Sequence, residues 1–266
     1  MRTPTITLLT DFGTKDHYVA SMKGVILSIN PQCTLIDITH QVSPQDIQEG
    51  AFLLANSYSY FPKGTIHLSV VDPGVGGMRK PILLVTQHHF FIGPDNGLFT
   101  LVAQREKVKK VIVLTQQKYF LPKLSATFHG RDLFAPVAAH LSLGTQPNAF
   151  GYQAHSWVKI GFGKPAIGEG KLLGEVLHID AFGNLISNID EKIFFRCTKG
   201  HPYVIWVGKK KIHGLGKGYW EGKPGEPMAL FGSSGYLEIS MNEGDAQKTL
   251  KVKRGGPIQV EIEQKT

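Results

Sequence analysis

An N-terminal α/β sandwich on a mostly parallel sheet, followed by a C-terminal antiparallel β-barrel, is the fold class that three features of the sequence predict. Strand-like and helix-like segments alternate through the first half, the pattern of a parallel sheet covered by helices. A Gly- and Pro-rich stretch, GFGKPAIGEGK from Gly161 to Lys171, then breaks the pattern. Beyond it helical spacing disappears and short alternating apolar runs take over, separated by Gly-, Pro- and Lys-rich turns. These features place domains at residues 1–163 and 171–266.

In chain order, TITLLT (Thr5 to Thr10) reads as a strand, and His17 to Ile29 carries apolar residues at helical spacing. TLIDIT (Thr34 to Thr39) is a second strand. Ser43-Pro44-Gln45-Asp46 reads as a helix start, Ser43 capping and Pro44 at the first helical position, for a helix running to about Tyr60. Strands follow at Thr65 to Val71, Ile82 to Thr86 and Lys110 to Thr115. DLFAPVAAHLSLG, from Asp132, reads as a helix with Pro136 in its first turn or at a kink. In the second part GEVLHID, PYVIWVG, MALFG, GYLEISM and PIQVEIE are the strand candidates, with Lys209 to Lys211 at a hairpin tip.

The chain has 266 residues, 42% of them hydrophobic and 19% charged, which excludes a disordered or coiled-coil chain. The 29 Lys+Arg against 21 Asp+Glu give a formal charge of +8, which taken alone nominates an anionic partner such as nucleic acid. No aromatic RNA-binding motif or zinc finger accompanies that charge, and the lysines are spread along the chain, so no nucleic-acid partner is expected. Cys33 and Cys197 form no CxxC pair, and no apolar run approaches the ~20 residues that span a bilayer. The expectation is a cytoplasmic protein with no membrane partner.

In an open parallel sheet ligands bind beyond the carboxyl ends of the strands, which singles out Asp11 after TITLLT and Asp72 after TIHLSVV. The two oxygens of a carboxylate there match the adjacent hydroxyls of a ribose, although an Asx-turn is an equally good use of either residue. DPGVGG has neither the spacing of a dinucleotide loop nor a following GK[ST]. TFHGRD gathers His129, Arg131 and Asp132 before a helix. Arg131 and Asp132 also fit a plain surface pair, and a single His carries little signal. His88 and His89, adjacent on a strand, should face opposite sides of it and share no metal.

TDFGTKDHYVASMKG, DITHQVSPQDIQEGA, FPKGTIHLSVVDPGVGG, IGPDNGL, TFHGRD, IDAFGNLISNI and GSSGYLEISMN, in this order from about Thr5 to Asn242, resemble the S-adenosylmethionine hydrolase (SAM hydroxide adenosyltransferase) family, related to the fluorinase and chlorinase. The resemblance implies the same two-domain fold and a homotrimer whose sites lie between one subunit's N-terminal domain and its neighbour's C-terminal domain. It implies hydrolysis of S-adenosyl-L-methionine to adenosine and L-methionine, with no cofactor. Asp72, Arg79 and His129 match the trio associated with the water nucleophile, and Asp11 the carboxylate that holds the ribose. Asp180 matches the group meeting the methionine ammonium, Ser233 and Ser234 the carboxylate site, and Asn184 an adenine contact. Phe182, Tyr236, Glu238 and Met241 line the same pocket by similarity, and Tyr219 aligns more loosely.

Gly130 stands where the fluorinase pattern has a halide-gripping serine, and the halogenases' inserted loop before IGPDNGL is absent, the strand ILLVTQHHFF running straight on. Both departures favour water over a halide as nucleophile. A binding protein with little turnover would use the same pocket and is the alternative, as is a halide-using adenosyltransferase.

Overall fold

The structure, a computed structural model, describes residues 3–263. It forms two compact units that part between Ile160 and Gly161. The first contains β1 (Thr5–Thr10), α1 (Tyr18–Ile29), β2 (Thr34–Thr39), α2 (Ile47–Ser57), β3 (Ile66–Val70), β4 (Pro81–Thr86) and β5 (Phe90–Pro94). α3 (Thr100–Arg105), β6 (Val108–Leu114), α4 (Ala135–Ser142) and β7 (Gly151–Gln153) complete it. The sheet order is β2-β1-β3-β5-β4-β6-β7. Ile6, Leu8, Ile66, Leu68 and Val70 alternate along β1 and β3 and join Met22 and Ile26 of α1 and Val137 and Leu141 of α4 in one apolar core. The intervening residues belong to the opposite face, where the Thr7 hydroxyl and His67 Nδ1 lie 2.7 Å apart. Burial there pushes His67 down to about 3.

The sheet is more mixed than expected. β2, β1, β3 and β5 run parallel, but β4 pairs antiparallel with β5 and β6, and β6 with β7. The cause is a tight turn after Thr86, which returns the chain beside β4 as β5; a connection this short permits only antiparallel pairing. His88 and His89 therefore lie in that turn, not on a strand. The His88 N–H donates to one oxygen of Glu106 (2.6 Å), and His89 Nδ1 pairs with the other (3.2 Å). Among the described residues no group of three or more His, Cys, Asp and Glu side chains could hold a metal ion.

Helix α2 begins later than expected and is capped by Asp46, whose Oδ1 accepts the Glu49 N–H at 2.9 Å. Ser43 instead donates its own N–H to the Glu49 carboxylate at 3.0 Å. The reason is Gln45, whose φ of +66° is left-handed and cannot continue a helix. Pro136 is the second residue of α4 and has no N–H for the Asp132 carbonyl, which accepts the Leu121 N–H instead (2.8 Å). The turn before it, Gly130–Phe134, widens to a π-helix.

The second unit contains β8 (Ala166–Gly168), β9 (Lys171–Ile179), β10 (Leu185–Asp190), α5 (Glu191–Thr198), β11 (Tyr203–Val207) and β12 (Lys210–His213). β13 (Pro227–Phe231), β14 (Tyr236–Met241), α6 (Ala246–Leu250) and β15 (Pro257–Ile262) follow. All its pairings are antiparallel, in the order β12-β11-β15-β9-β10-β14-β13, with β8 beside β9, making a nearly closed barrel-like sheet. Its two short helices correct the expectation that helices vanish after the Gly- and Pro-rich stretch. α5 is capped by Asp190, which accepts the Ile193 N–H at 2.7 Å, and buries only Phe194 and Thr198. A single i,i+4 pair in eight residues gives little periodicity to read. The β11–β12 turn is Gly208–Lys209, so Lys210 and Lys211 already belong to β12. No helix among the described residues is long and apolar enough to cross a membrane.

The two candidate caps are separable by experiment. Asp46→Ala should cost about 0.5–2 kcal/mol in urea unfolding and Ser43→Ala only a few tenths, the reverse of the ranking expected from sequence.

Candidate active site

β1 and β3 are parallel neighbours with Thr10 opposite Val70, so their carboxyl ends open side by side. This places Asp11 and Asp72 near each other. Asp11 Oδ2 accepts the Gln45 N–H at 2.8 Å, which explains the left-handed residue before α2: that conformation turns its N–H toward the carboxylate. Burial pushes the Asp11 carboxyl above its ordinary value, the Gln45 bond opposes the shift, and the charge of Asp72 adds to it.

From Asp72 the chain makes two tight turns, the Val75 N–H donating to the Asp72 carbonyl (3.2 Å) and the Gly77 N–H to that of Gly74 (3.0 Å). At Gly76 φ is +74°, and a β-carbon would stand 2.1 Å from the Ala126 carbonyl oxygen. Glycine therefore lets this loop lie against the segment that leads to His129. Arg79 closes the arrangement. Its Nε donates to Asp72 Oδ1 and Oδ2 (2.9 and 3.0 Å), and its Nη2 to Oδ2 (2.5 Å) and to His129 Nδ1 (2.8 Å). The Asp72 and Arg79 side chains are 4% and 9% exposed, and the guanidinium carbon sits 5.4 Å over the Phe134 ring.

A guanidinium only donates, so His129 Nδ1 must accept, and the ring proton resides on Nε2. His129 is thus neutral, with Nε2–H as its remaining polar group. Burial and the neighbouring Arg79 charge hold its pKa below the ordinary value, partly offset by Asp72 and Asp132.

Asp132 is not half of a surface pair. It is fully buried, accepting from Arg131 Nε (2.6 Å) and the Ser125 N–H (2.7 Å), and so anchors the loop ahead of His129. Phe12, Tyr18 and Phe128 form an aromatic cluster, with Phe128 5.9 Å from Phe12 and 5.1 Å from Tyr18, on the wall of a 370 Å³ cavity. A second cavity, of 580 Å³, has both Arg79 and His129 in its wall. Neither the Gln45–Asp11 bond nor the aromatic cluster was expected from sequence, though the aromatic residue directly after Asp11 was a visible signal.

In the second unit Asp180 and Asn184 share the β9–β10 turn. Asp180 Oδ1 accepts the N–H groups of Phe182 and Asn184, and Oδ2 the Asn184 side-chain amide, all at 2.9 Å. Phe182 at the turn's tip is 77% exposed. β10 pairs Ile186 with Glu238 of β14. Glu238 is buried and its Oε1 accepts from the Tyr219 hydroxyl (2.8 Å) and Ser240 (2.6 Å); burial and that carboxylate push Tyr219 up to about 12. Met241 packs in the barrel core with Leu237 and Ile239. Ser233 and Ser234 occupy the β13–β14 turn and Tyr236 opens β14, at the other end of that strand from Met241. The structure thus joins Asp72, Arg79 and His129 by hydrogen bonds with Asp11 beside them, and separately gathers Asp180, Asn184, Tyr219 and Glu238.

A parallel-stranded α/β unit with an acid–Arg–His trio at its strand ends, followed by an antiparallel barrel, defines a two-domain class with known members. The SAM hydroxide adenosyltransferase N-terminal domain matches residues 6–151 and the C-terminal domain of the same family residues 174–259. The chain is 36% identical over 261 residues to the (R)-S-adenosyl-L-methionine hydrolase of Thermus thermophilus, covering 95% of this chain and 97% of that one. It is 37% identical over 260 residues to the protein of the same name from Methanocaldococcus jannaschii (93% and 92%), and 25% identical to a fluorinase of an Actinoplanes species (97% of each). A solved structure of an uncharacterized conserved protein from Thermotoga maritima superposes with a TM-score of 0.90 at 38% identity, covering 96% of this chain and 99% of that one. This protein belongs to the SAM hydroxide adenosyltransferase family.

The lowered pKa of His129 has a measurable sign. As pH falls below about 6.5 the unfolded state takes up the proton first. The stability this residue contributes is therefore present above that pH and lost progressively below it. Between pH 7 and 5 the wild type should lose more stability in urea titrations than His129→Gln; parallel pH profiles would contradict the assignment.

Proposed function

We propose that the chain hydrolyses S-adenosyl-L-methionine to adenosine and L-methionine, water attacking C5′ of the ribose in line with the departing sulfur. The observation that carries this reading is the Arg79 guanidinium bound at once to Asp72 and to His129, beside a second carboxylate, Asp11. Two carboxylates against one guanidinium and a neutral imidazole leave the cluster net negative, which suits a cationic sulfonium. The new C–O bond forms as the C–S bond breaks; its electron pair neutralises the sulfonium, and methionine leaves as a neutral thioether. The leaving group thus needs no metal, and we assign the reaction no cofactor.

The remaining requirement is a positioned nucleophile that loses one proton. Free hydroxide at pH 7 would cost roughly 12 kcal/mol, about 1.36 for each of nearly nine pKa units, so storing it before attack is unfavourable. With Nδ1 held by Arg79, His129 would donate from Nε2 to the water oxygen. That leaves Asp72, whose Oδ1 takes only the Arg79 Nε bond, to receive the proton during or after attack. Asp11 would hold the ribose hydroxyls. Asp180, whose oxygens keep lone pairs beyond their turn bonds, would meet the methionine ammonium, Ser233 and Ser234 its carboxylate, and Asn184 the adenine. Phe182, Tyr236 and Glu238 would line this half, with Met241 supporting it from the core. We place the protein in the cytoplasm, consistent with free Cys33 and Cys197, as a homotrimer in which a neighbouring copy supplies the second half of each site.

Gly130 favours water over a halide. A β-carbon there would stand 3.2 Å from Met22 Sδ, 3.3 Å from the Phe128 ring and 3.4 Å from the Phe12 ring, leaving little room for a serine. Incubation of the protein with substrate, with and without chloride or fluoride, should give adenosine and methionine throughout. A 5′-halo-adenosine product, less than one adenosine per site after prolonged incubation, or unchanged substrate would overturn the reading. Asp72→Asn should lower kcat by about 10²-fold or more, with a smaller change in KM.

A further inference from the structure

IGPDNGL, one of the segments that carried the family resemblance, has no role in the chemistry above, yet its turn touches both ends of the loop that does. The Asn96 side-chain amide donates to the Val71 carbonyl at 2.8 Å, one residue before Asp72. The neighbouring Asp95 N–H donates to the Lys80 carbonyl at 2.8 Å, one residue after Arg79. The turn is itself held from three sides. Asn96 Oδ1 accepts the Leu98 N–H (3.2 Å), and buried Asp95 accepts the Val158 N–H (2.8 Å). Gly97, at φ +98°, lies so close to Ile160 that a β-carbon would stand 2.4 Å from it. A rigid turn after β5 therefore grips the chain on entry to and exit from the glycine-rich loop between Asp72 and Arg79.

We propose that Asn96 is a positioning residue for the reaction: by fixing Val71, with Asp95 fixing Lys80, it sets where Asp72 and Arg79 meet. Val71 is completely buried, so its carbonyl has no solvent to turn to when the amide is removed. The loop beyond it is made largely of glycine and proline, and apart from its two turn bonds and the Arg79 bonds to Asp72 it depends on its ends for its position. Asn96 touches none of the groups assigned to the substrate and acts through Asp72 alone. Misplacing a reacting group by about 1 Å can cost about 10²-fold in rate.

The inference rests on the hydrolase reading, and its test separates the two. Asn96→Ser keeps an oxygen for the Leu98 N–H, and so the turn, but is too short to reach Val71; Asn96→Ala loses both. Asn96→Ser should lower kcat by about 10- to 100-fold while KM for S-adenosylmethionine and adenosine affinity by calorimetry change less than about threefold. Amide exchange in the 72–79 segment should quicken, with β1 and β3 unchanged. Wild-type kcat in Asn96→Ser, or unchanged exchange in that segment, would overturn the clamp. A wild type that releases no adenosine overturns the reaction instead, and exchange in the loop then decides the clamp by itself.

Discussion

The bond network around one guanidinium constrains the rest of the candidate site. Arg79 carries only donors, so the groups it meets must both be acceptors, and a carboxylate and a neutral imidazole follow from that alone. The pair is also sheltered. With the Asp72 and Arg79 side chains at 4% and 9% exposure, the ions have lost most of their water, and several direct bonds replace it. Breaking such a pair leaves an uncompensated buried charge, typically costing about 3–5 kcal/mol. The surrounding structure is arranged to keep it closed. Phe134 lies beneath the guanidinium, and the widened turn of residues 130–134 directly follows His129. Gly76 lets two loops approach closer than any side chain would permit.

Much of this arrangement was legible where one physical rule sufficed. Asp11 and Asp72 follow from strand ends in an open sheet, and the parallel register of β1 and β3 places them together. Arg79 and His129 did not follow from such a rule. They lie seven and fifty-seven residues beyond Asp72, across a glycine loop and three strands, and their partnership is tertiary; family resemblance alone nominated Arg79, and His129 stood out in TFHGRD only as a single His of little signal. The helix start at Ser43 failed because Gln45 serves Asp11 in a conformation that no helix contains. His88 and His89 were misplaced because a three-residue return without Gly or Pro looks like continuous strand. In the second unit the alternating runs gave the barrel, whereas α5 and α6 were too short to show a period.

Charge changes meaning along the same path. The formal +8 would by itself suggest an anionic partner, but the lysines are dispersed, while the two carboxylates at the strand ends outweigh the single Arg79. Local charge, not the total, matches the sulfonium substrate. Glu238 in the second unit shows the same economy, a buried carboxylate stabilised by the hydroxyls of Tyr219 and Ser240.

The Arg79-centred site requires that His129 carry its ring proton on Nε2. Nitrogen NMR of the protein labelled at its histidine side chains, with His129→Gln used to assign the resonance, measures this directly. An unprotonated, acceptor-type shift at Nδ1 and a protonated Nε2 at pH 7, both collapsing in Arg79→Gln, are the expected result. A proton on Nδ1, or an imidazolium at pH 7, would contradict the Arg79-centred site.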